Sequence, residues 1–351
     1  MIESIQNIKD INELLKAVTL NSGSDLHLSS GLEPMIRKDG ELSKVSNQAL
    51  SNDDMLEILK EITSEEQRKA FEAENDLDFA IQLDDTCRFR VNFFKQNRGI
   101  SGVFRHIPIE IKSIEEIGAP PVIRELTKLE NGLILVTGPT GSGKSTTLAT
   151  MLNIINQERA GHLITIEDPI EFIHFSNKCL VNQREVGMHV KSFSRALREA
   201  LREDPDYILI GEMRDLETIQ LALTAAETGH LVFASLHTSG ATKTISRIID
   251  VFPANQQGQV RSMLADSIQA IISQTLCKKK TGGRTAAFEI LLGTPAVRNL
   301  IREGKNHQLT TIIQTSQKRG MQTLEAHLNK LLSNGIITRD VFDKKINSIP
   351  Q

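Results

Sequence analysis

Leu133-Ile134-Leu135-Val136-Thr137-Gly138-Pro139-Thr140-Gly141-Ser142-Gly143-Lys144-Ser145-Thr146 is the stretch on which the reading turns. Its first five residues form a short apolar run, the pattern of a strand buried on both faces. The next nine fit GxxxxGK[ST], and a helical pattern follows over 146–155. Strand, glycine-rich loop and helix in that order are the context in which this spacing holds phosphate. Glycines let backbone N–H groups converge on phosphate oxygens, and the helix start adds its positive end. Gly138, Pro139, Thr140, Gly141, Ser142, Gly143, Lys144, Ser145 and Thr146 are therefore the candidate ATP-binding residues. Lys144 offers a point charge to the β- and γ-phosphates. The Ser145 hydroxyl is a candidate ligand for Mg2+.

Outward from this loop, apolar runs recur at 162–166, 207–210, 231–236 and 286–292, separated by helical stretches. That alternation predicts an α/β unit, a mainly parallel sheet with helices on both sides. Ligands in such sheets sit beyond the carboxyl ends of the strands. Two acidic residues fall there, Glu167 after 162–166 and Glu212 after 207–210. Glu212 stands where a carboxylate would polarise the attacking water. Gly211 precedes it in place of the usual aspartate, which leaves Glu167 to reach Mg2+ through water. The bland alternative is that acidic residues also end strands as solvated caps. His237 closes the run 231–236 on the ligand side, and His230 lies at its other end or in the preceding turn. Either ring could donate to a γ-phosphate, although a packed or solvated ring is the commoner fate of a lone histidine.

The first part of the chain reads differently. A helical pattern over 5–19 precedes short strands at 26–28 and 34–37, a helical stretch over 51–74, and strands at 76–83, 87–96 and 99–107. This is a mixed α+β unit, expected over 1–107. Arg88, Arg90, Arg98 and Arg105 crowd its last two strands, and Arg88 and Arg90 share a face. Such a strip is either a solvated surface or a set of cations for a phosphate bound elsewhere. Pro108 and Gly118-Ala119-Pro120-Pro121 mark a linker over 108–121, and the second unit is expected over 122–351.

Composition narrows the function. The 351 residues are 39% hydrophobic and 24% charged, which suits two globular domains. A net charge of -3, no Trp and one Tyr argue against a nucleic-acid footprint. No apolar run reaches the length of a membrane span, and Met1-Ile2-Glu3-Ser4 lacks the features of a signal peptide. Cys87, Cys179 and Cys277 lie far apart, which fits a reducing cytosol better than disulfides or a zinc cluster.

Several motifs join the loop in one order. They are Ile164-Thr-Ile-Glu-Asp-Pro-Ile-Glu171, Leu201-Arg-Glu-Asp-Pro-Asp206, Gly211-Glu-Met-Arg-Asp215 and Thr228-Gly-His-Leu-Val-Phe-Ala-Ser-Leu-His-Thr238. Together they resemble the secretion ATPases of type II and type IV pilus systems over nearly the whole chain. Gly23-Ser-Asp-Leu-His-Leu28, Arg88-Phe-Arg-Val-Asn92 and Asn182-Gln-Arg-Glu-Val186 extend the likeness. The resemblance implies a PAS-like first domain and a RecA-like P-loop ATPase domain. By the same resemblance Glu167 belongs to the Asp box, Glu212 to the Walker B motif, and His230 and His237 to the His box. Arg90 and Arg105 match the phosphate-reaching arginines of the first domain.

Within that family the chain looks most like the pilus retraction motors behind twitching motility. Ala296-Val-Arg-Asn-Leu-Ile-Arg302 resembles their C-terminal motif, with Val297 in place of isoleucine. Assembly ATPases of the family carry a long extra N-terminal region and a four-cysteine zinc element, neither of which fits this sequence. The implied assembly is a homohexamer using ATP and Mg2+, at the cytoplasmic face of the inner membrane. Its implied partners are a pilus platform protein and a paralogous retraction ATPase. The rivals are a pilus or pseudopilus assembly ATPase, a nucleic-acid-translocating RecA-like motor and a nucleotide-binding scaffold without turnover. Intact Lys144, Glu167 and Glu212 count against the scaffold.

Overall fold

A computed structural model describes residues 7–38, 40–84, 87–108 and 110–347. Contacts divide the chain into two units, Met1–Glu110 and Ile111–Gln351.

In the first unit the order is α1 (Ile11–Leu20), β1 (Asp25–Ser29), β2 (Met35–Lys38), β3 (Glu41–Lys44), α2 (Asn52–Ile62), α3 (Glu65–Glu74), β4 (Asp76–Asp84), β5 (Cys87–Gln96) and β6 (Gly99–Pro108). The strands form one antiparallel sheet in the order β3-β2-β1-β6-β5-β4. One face of β5 buries Phe89, Val91 and Phe93, and Phe93 packs against Phe71, Phe79 and Phe104. Gly102 makes room for this cluster, since a Cβ there would sit 2.9 Å from the Phe93 ring. The helical stretch expected over 51–74 is two helices. Thr63 ends the first, and Ser64 caps the second, accepting from Gln67 N–H while the Gln67 side chain accepts from Ser64 N–H. The helix expected over 5–19 begins at Ile11, where the Asp10 carboxylate takes the N–H groups of Asn12 and Glu13. Residues 5 and 6 of that span lie outside the described residues.

In the second unit the order is α4 (Val122–Leu126), β7 (Gly132–Thr137), α5 (Lys144–Glu158), β8 (Gly161–Glu167), β9 (Cys179–Glu185), α6 (Phe193–Ala200), β10 (Tyr207–Ile210), α7 (Leu216–Glu227), β11 (Leu231–Leu236), α8 (Ala241–Asp250), α9 (Gln257–Ser267), β12 (Ile268–Lys278), β13 (Arg284–Leu292), α10 (Pro295–Arg302), α11 (Leu309–Thr315), α12 (Leu324–Ser333) and α13 (Arg339–Ile346). The sheet runs β13-β12-β7-β11-β10-β8-β9. Every pair is parallel except β12 with β13. Both faces of β7, β10 and β11 are fully buried, each against its own apolar cluster. This explains the continuous apolar runs in the sequence. Part of the stretch read as a linker, 108–121, packs within this unit. Ile114 is buried with Ile123 and Leu126, and Thr150 Oγ1 donates to Lys112 O at 2.8 Å.

Candidate functional site

The registers of β7, β11, β10 and β8 align their carboxyl ends, with Leu236 beside Thr137 and Ile210 beside both Ala234 and Ile166. The residues that follow these strands therefore share one edge of the sheet. The loop 138–143, Glu212 and His237 stand there, with Glu167 at the end of β8.

The loop has the form its glycines dictate. Gly138, Gly141 and Gly143 all adopt positive φ. At Gly138 a Cβ would fall 2.3 Å from Gln274 O and 2.6 Å from Ser142 Oγ, so no side chain fits. Gly143 caps α5 and brings no side chain to its first N–H groups. A helix start without a capping acceptor is an anion site. Lys144 is buried to 8% exposure and donates to Gly138 O at 3.0 Å and Pro139 O at 3.2 Å. Burial pushes its ammonium down from the usual lysine range, while Glu212 and Glu171 pull it back up. This cation is held in place by two carbonyls and is under-compensated, as a receiver of phosphate should be.

Glu212 is gripped from two sides. Arg214 Nε donates to Glu212 Oε2 at 2.8 Å, and His237 Nε2 lies 3.3 Å from Glu212 Oε1. The other nitrogen of that ring, Nδ1, lies 3.3 Å from Thr140 Oγ1 on the loop. One imidazole thus spans the gap between the phosphate loop and the carboxylate expected to act on water.

Glu167 is 8% exposed, and burial pushes its carboxyl up to about 7. Thr165 Oγ1 donates to Oε1 at 2.7 Å and Gln183 Nε2 at 3.3 Å, and both favour the charged form. A cavity of about 30 Å³ is lined by Ser145, Glu167, Phe172, His174, Leu209 and Gly211. It has room for a water and brings Ser145 and Glu167 to the same space. These donors fit Mg2+ held by Ser145 directly and by Glu167 through water, since such hard oxygen ligands suit that ion and it retains waters. His174 also faces this space. Its Nδ1 has no partner among the described residues, and burial pushes the ring down to about 4, so it is neutral.

The structure does not bring His230 to this edge. It precedes β11, about 20 Å from the loop along a six-residue strand. Its Nδ1 lies 2.9 Å from Ala225 O, and its own carbonyl accepts from Gly132 N–H. Arg90 and Arg105 belong to the first unit, where they stand directly opposite each other on β5 and β6. Arg90 pairs with Asp78, with Nη2 2.5 Å from Oδ2, and Arg105 Nε donates to Asp25 at 2.9 Å. The sequence reading missed Gln183, Gln274 and His174. Gln183 lies within a quoted motif, but only the pairing of β9 with β8 sets it beside Glu167. Gln274 donates to Ser142 O at 2.8 Å from β12, a strand the sequence did not announce.

Among the described residues no helix is long and apolar enough to cross a membrane. The model of the type II/IV secretion system protein family matches residues 3–343. The type IV pilus retraction ATPase PilT of Pseudomonas aeruginosa is 55% identical over 94% of this chain and 96% of its own length. A twitching motility protein of Neisseria gonorrhoeae is 52% identical over 89% of this chain and 84% of its own. The crystal structure of the pilus retraction motor PilT with bound ADP superposes with a TM-score of 0.87, at 44% identity and 97% coverage of both chains. A phosphate loop, its acidic partners and full-length likeness to these proteins agree, and the chain belongs to the type II/IV secretion system protein family.

Proposed function

We propose that this chain is a Mg2+-dependent ATPase that drives retraction of a type IV pilus, and hence twitching motility. The observation that carries the reading is the convergence of an uncapped α5 start, buried Lys144, Glu212 and Glu167 on one sheet edge. Backbone N–H groups of the loop and Lys144 take the phosphates. Glu212 polarises the attacking water, oriented by His237 and Arg214. His237, in contact with Thr140, senses the γ-phosphate. Mg2+, when bound, would supply positive charge that stabilises the phosphates. Ser145 and Glu167 are the residues that would hold it.

The chain works, on this reading, as a homohexamer at the cytoplasmic face of the inner membrane. It acts on a pilus platform protein, and a paralogous retraction ATPase is a further partner. By the family resemblance, Arg90 and Arg105 are the first unit's candidates for reaching phosphate. Nucleic acid has no part in the reaction. The names of the retraction ATPase and the twitching motility protein favour retraction over assembly. A deletion strain tests this. Abundant pili without twitching support retraction, and a strain without pili overturns it in favour of assembly.

A further inference from the structure

Past His237 the chain turns through Thr238, Ser239 and Gly240 into α8, and Gly240 provides no side-chain cap for that helix. The caps come from two other strands. Ser273 Oγ on β12 accepts from Gly240 N–H at 2.9 Å, and Glu289 Oε1 on β13 accepts from Ala241 N–H at 2.8 Å. Ser273 and Glu289 face each other across β12 and β13, and Ser273 is level with Thr137, the residue before the phosphate loop. Thr238 Oγ1 and Thr244 Oγ1 meet at 2.7 Å on the same side. The turn behind His237 is therefore fastened to the row of residues from which the loop departs.

Glu289 stands out in this set. It is a partly buried carboxylate that forms no ion pair among the described residues, and burial pushes it up from the usual range. The N–H of Ala241 at the start of α8 and that of Leu324 at the start of α12 both favour its charged form. Its Oε1 takes the first N–H of α8, where the positive end of that helix suits a carboxylate.

We propose that Glu289 is a positioning residue for ATP hydrolysis, fixing the turn 238–241 so that His237 stays between Thr140 and Glu212. The inference rests on the hydrolytic reading of His237. Glu289 touches neither of those residues. Its effect runs through the backbone of Gly240 and Ala241.

A double-mutant cycle with the full chain tests it, because residues acting through one another are not additive. Glu289→Gln retains the size of the side chain but loses the charge. The expected kcat falls about 10-fold in the otherwise native chain and less than about twofold in a His237→Ala background. ADP affinity should stay within about twofold throughout, because the loop is unaltered. An equal fall in both backgrounds, or no fall in the native one, overturns the proposal. Native kcat in His237→Ala alone overturns the role of His237 and this proposal together. Native kcat in Glu289→Gln beside a depressed His237→Ala overturns this proposal only. If Glu289→Gln does not melt cooperatively, Glu289→Asp, which keeps the charge but shortens the reach to Ala241 N–H, replaces it and the same outcomes decide.

Discussion

His237 Nε2 lies 3.3 Å from Glu212 Oε1, and Nδ1 of the same ring lies 3.3 Å from Thr140 Oγ1. A rigid planar group therefore measures the distance between the loop proposed to hold the phosphates and the carboxylate proposed to act on water. Replacing it should uncouple the two without dismantling either. His237→Ala is expected to lower kcat about 10- to 100-fold and to leave ADP affinity within a factor of about two. Steady-state kinetics beside ADP titration checks this, and a loss of affinity without loss of kcat would assign the ring to binding instead.

Lys144 makes the opposite prediction. Its ammonium is buried against Gly138 O and Pro139 O, inside the loop itself. Lys144→Ala should weaken ATP binding at least about 10-fold, since a charge-assisted contact to phosphate is lost. Fluorescent-nucleotide titration reads the effect directly.

The Glu167 carboxylate is aimed by Gln183, whose amide also bonds Phe172 O and His174 N–H. Removing such a support typically costs about 10-fold or more in metal affinity. Gln183→Leu should thus shift half-maximal activation to about 10-fold higher Mg2+. ATP binding measured in the presence of EDTA should not change. An unaltered Mg2+ curve would free Glu167 from dependence on this amide.

His327 supplies a test of stability against pH. Its Nδ1 accepts from Phe288 N–H at 2.9 Å, and burial pushes the ring down to about 4. The folded state resists the proton that the unfolded state binds at about 6.5, so this site loses stability as pH falls from 6.5 towards 4. Between pH 8 and pH 5 the loss is about 2 kcal/mol. His327→Leu lacks this term, so its stability deficit against the native chain should shrink by about that amount at pH 5. Urea denaturation at the two pH values measures it. A deficit of constant size would mean that the ring is protonated in the folded chain.

The parts of the architecture legible beforehand share one cause. Strands buried on both faces must be apolar throughout, and 133–137, 162–166, 207–210 and 231–236 all became strands of one sheet. β12 escaped because α9 runs into it at Ser267–Ile268 with no Gly or Pro between, and Gln269, Ser273 and Gln274 interrupt its apolar pattern. β9 escaped because it is an edge strand, with Leu180 exposed and Asn182, Gln183 and Arg184 polar. The loop, Glu212, Glu167 and His237 were legible because local motifs carry them. Gln183, Gln274 and Glu289 act through strand pairings, and no local spacing records those.

Arg90 and Arg105 illustrate the same point. Fifteen positions separate them in the chain, yet they are direct neighbours across β5 and β6, each tied to an aspartate. Only the hairpin joining these strands reveals that they form one pair.

The account depends most on Glu212 as the group that acts on water. Turnover of ATP by purified Glu212→Gln, measured beside its nucleotide affinity, tests this directly. Retained binding with hydrolysis lowered at least about 100-fold is the expected result. Near-native turnover in that variant would contradict it.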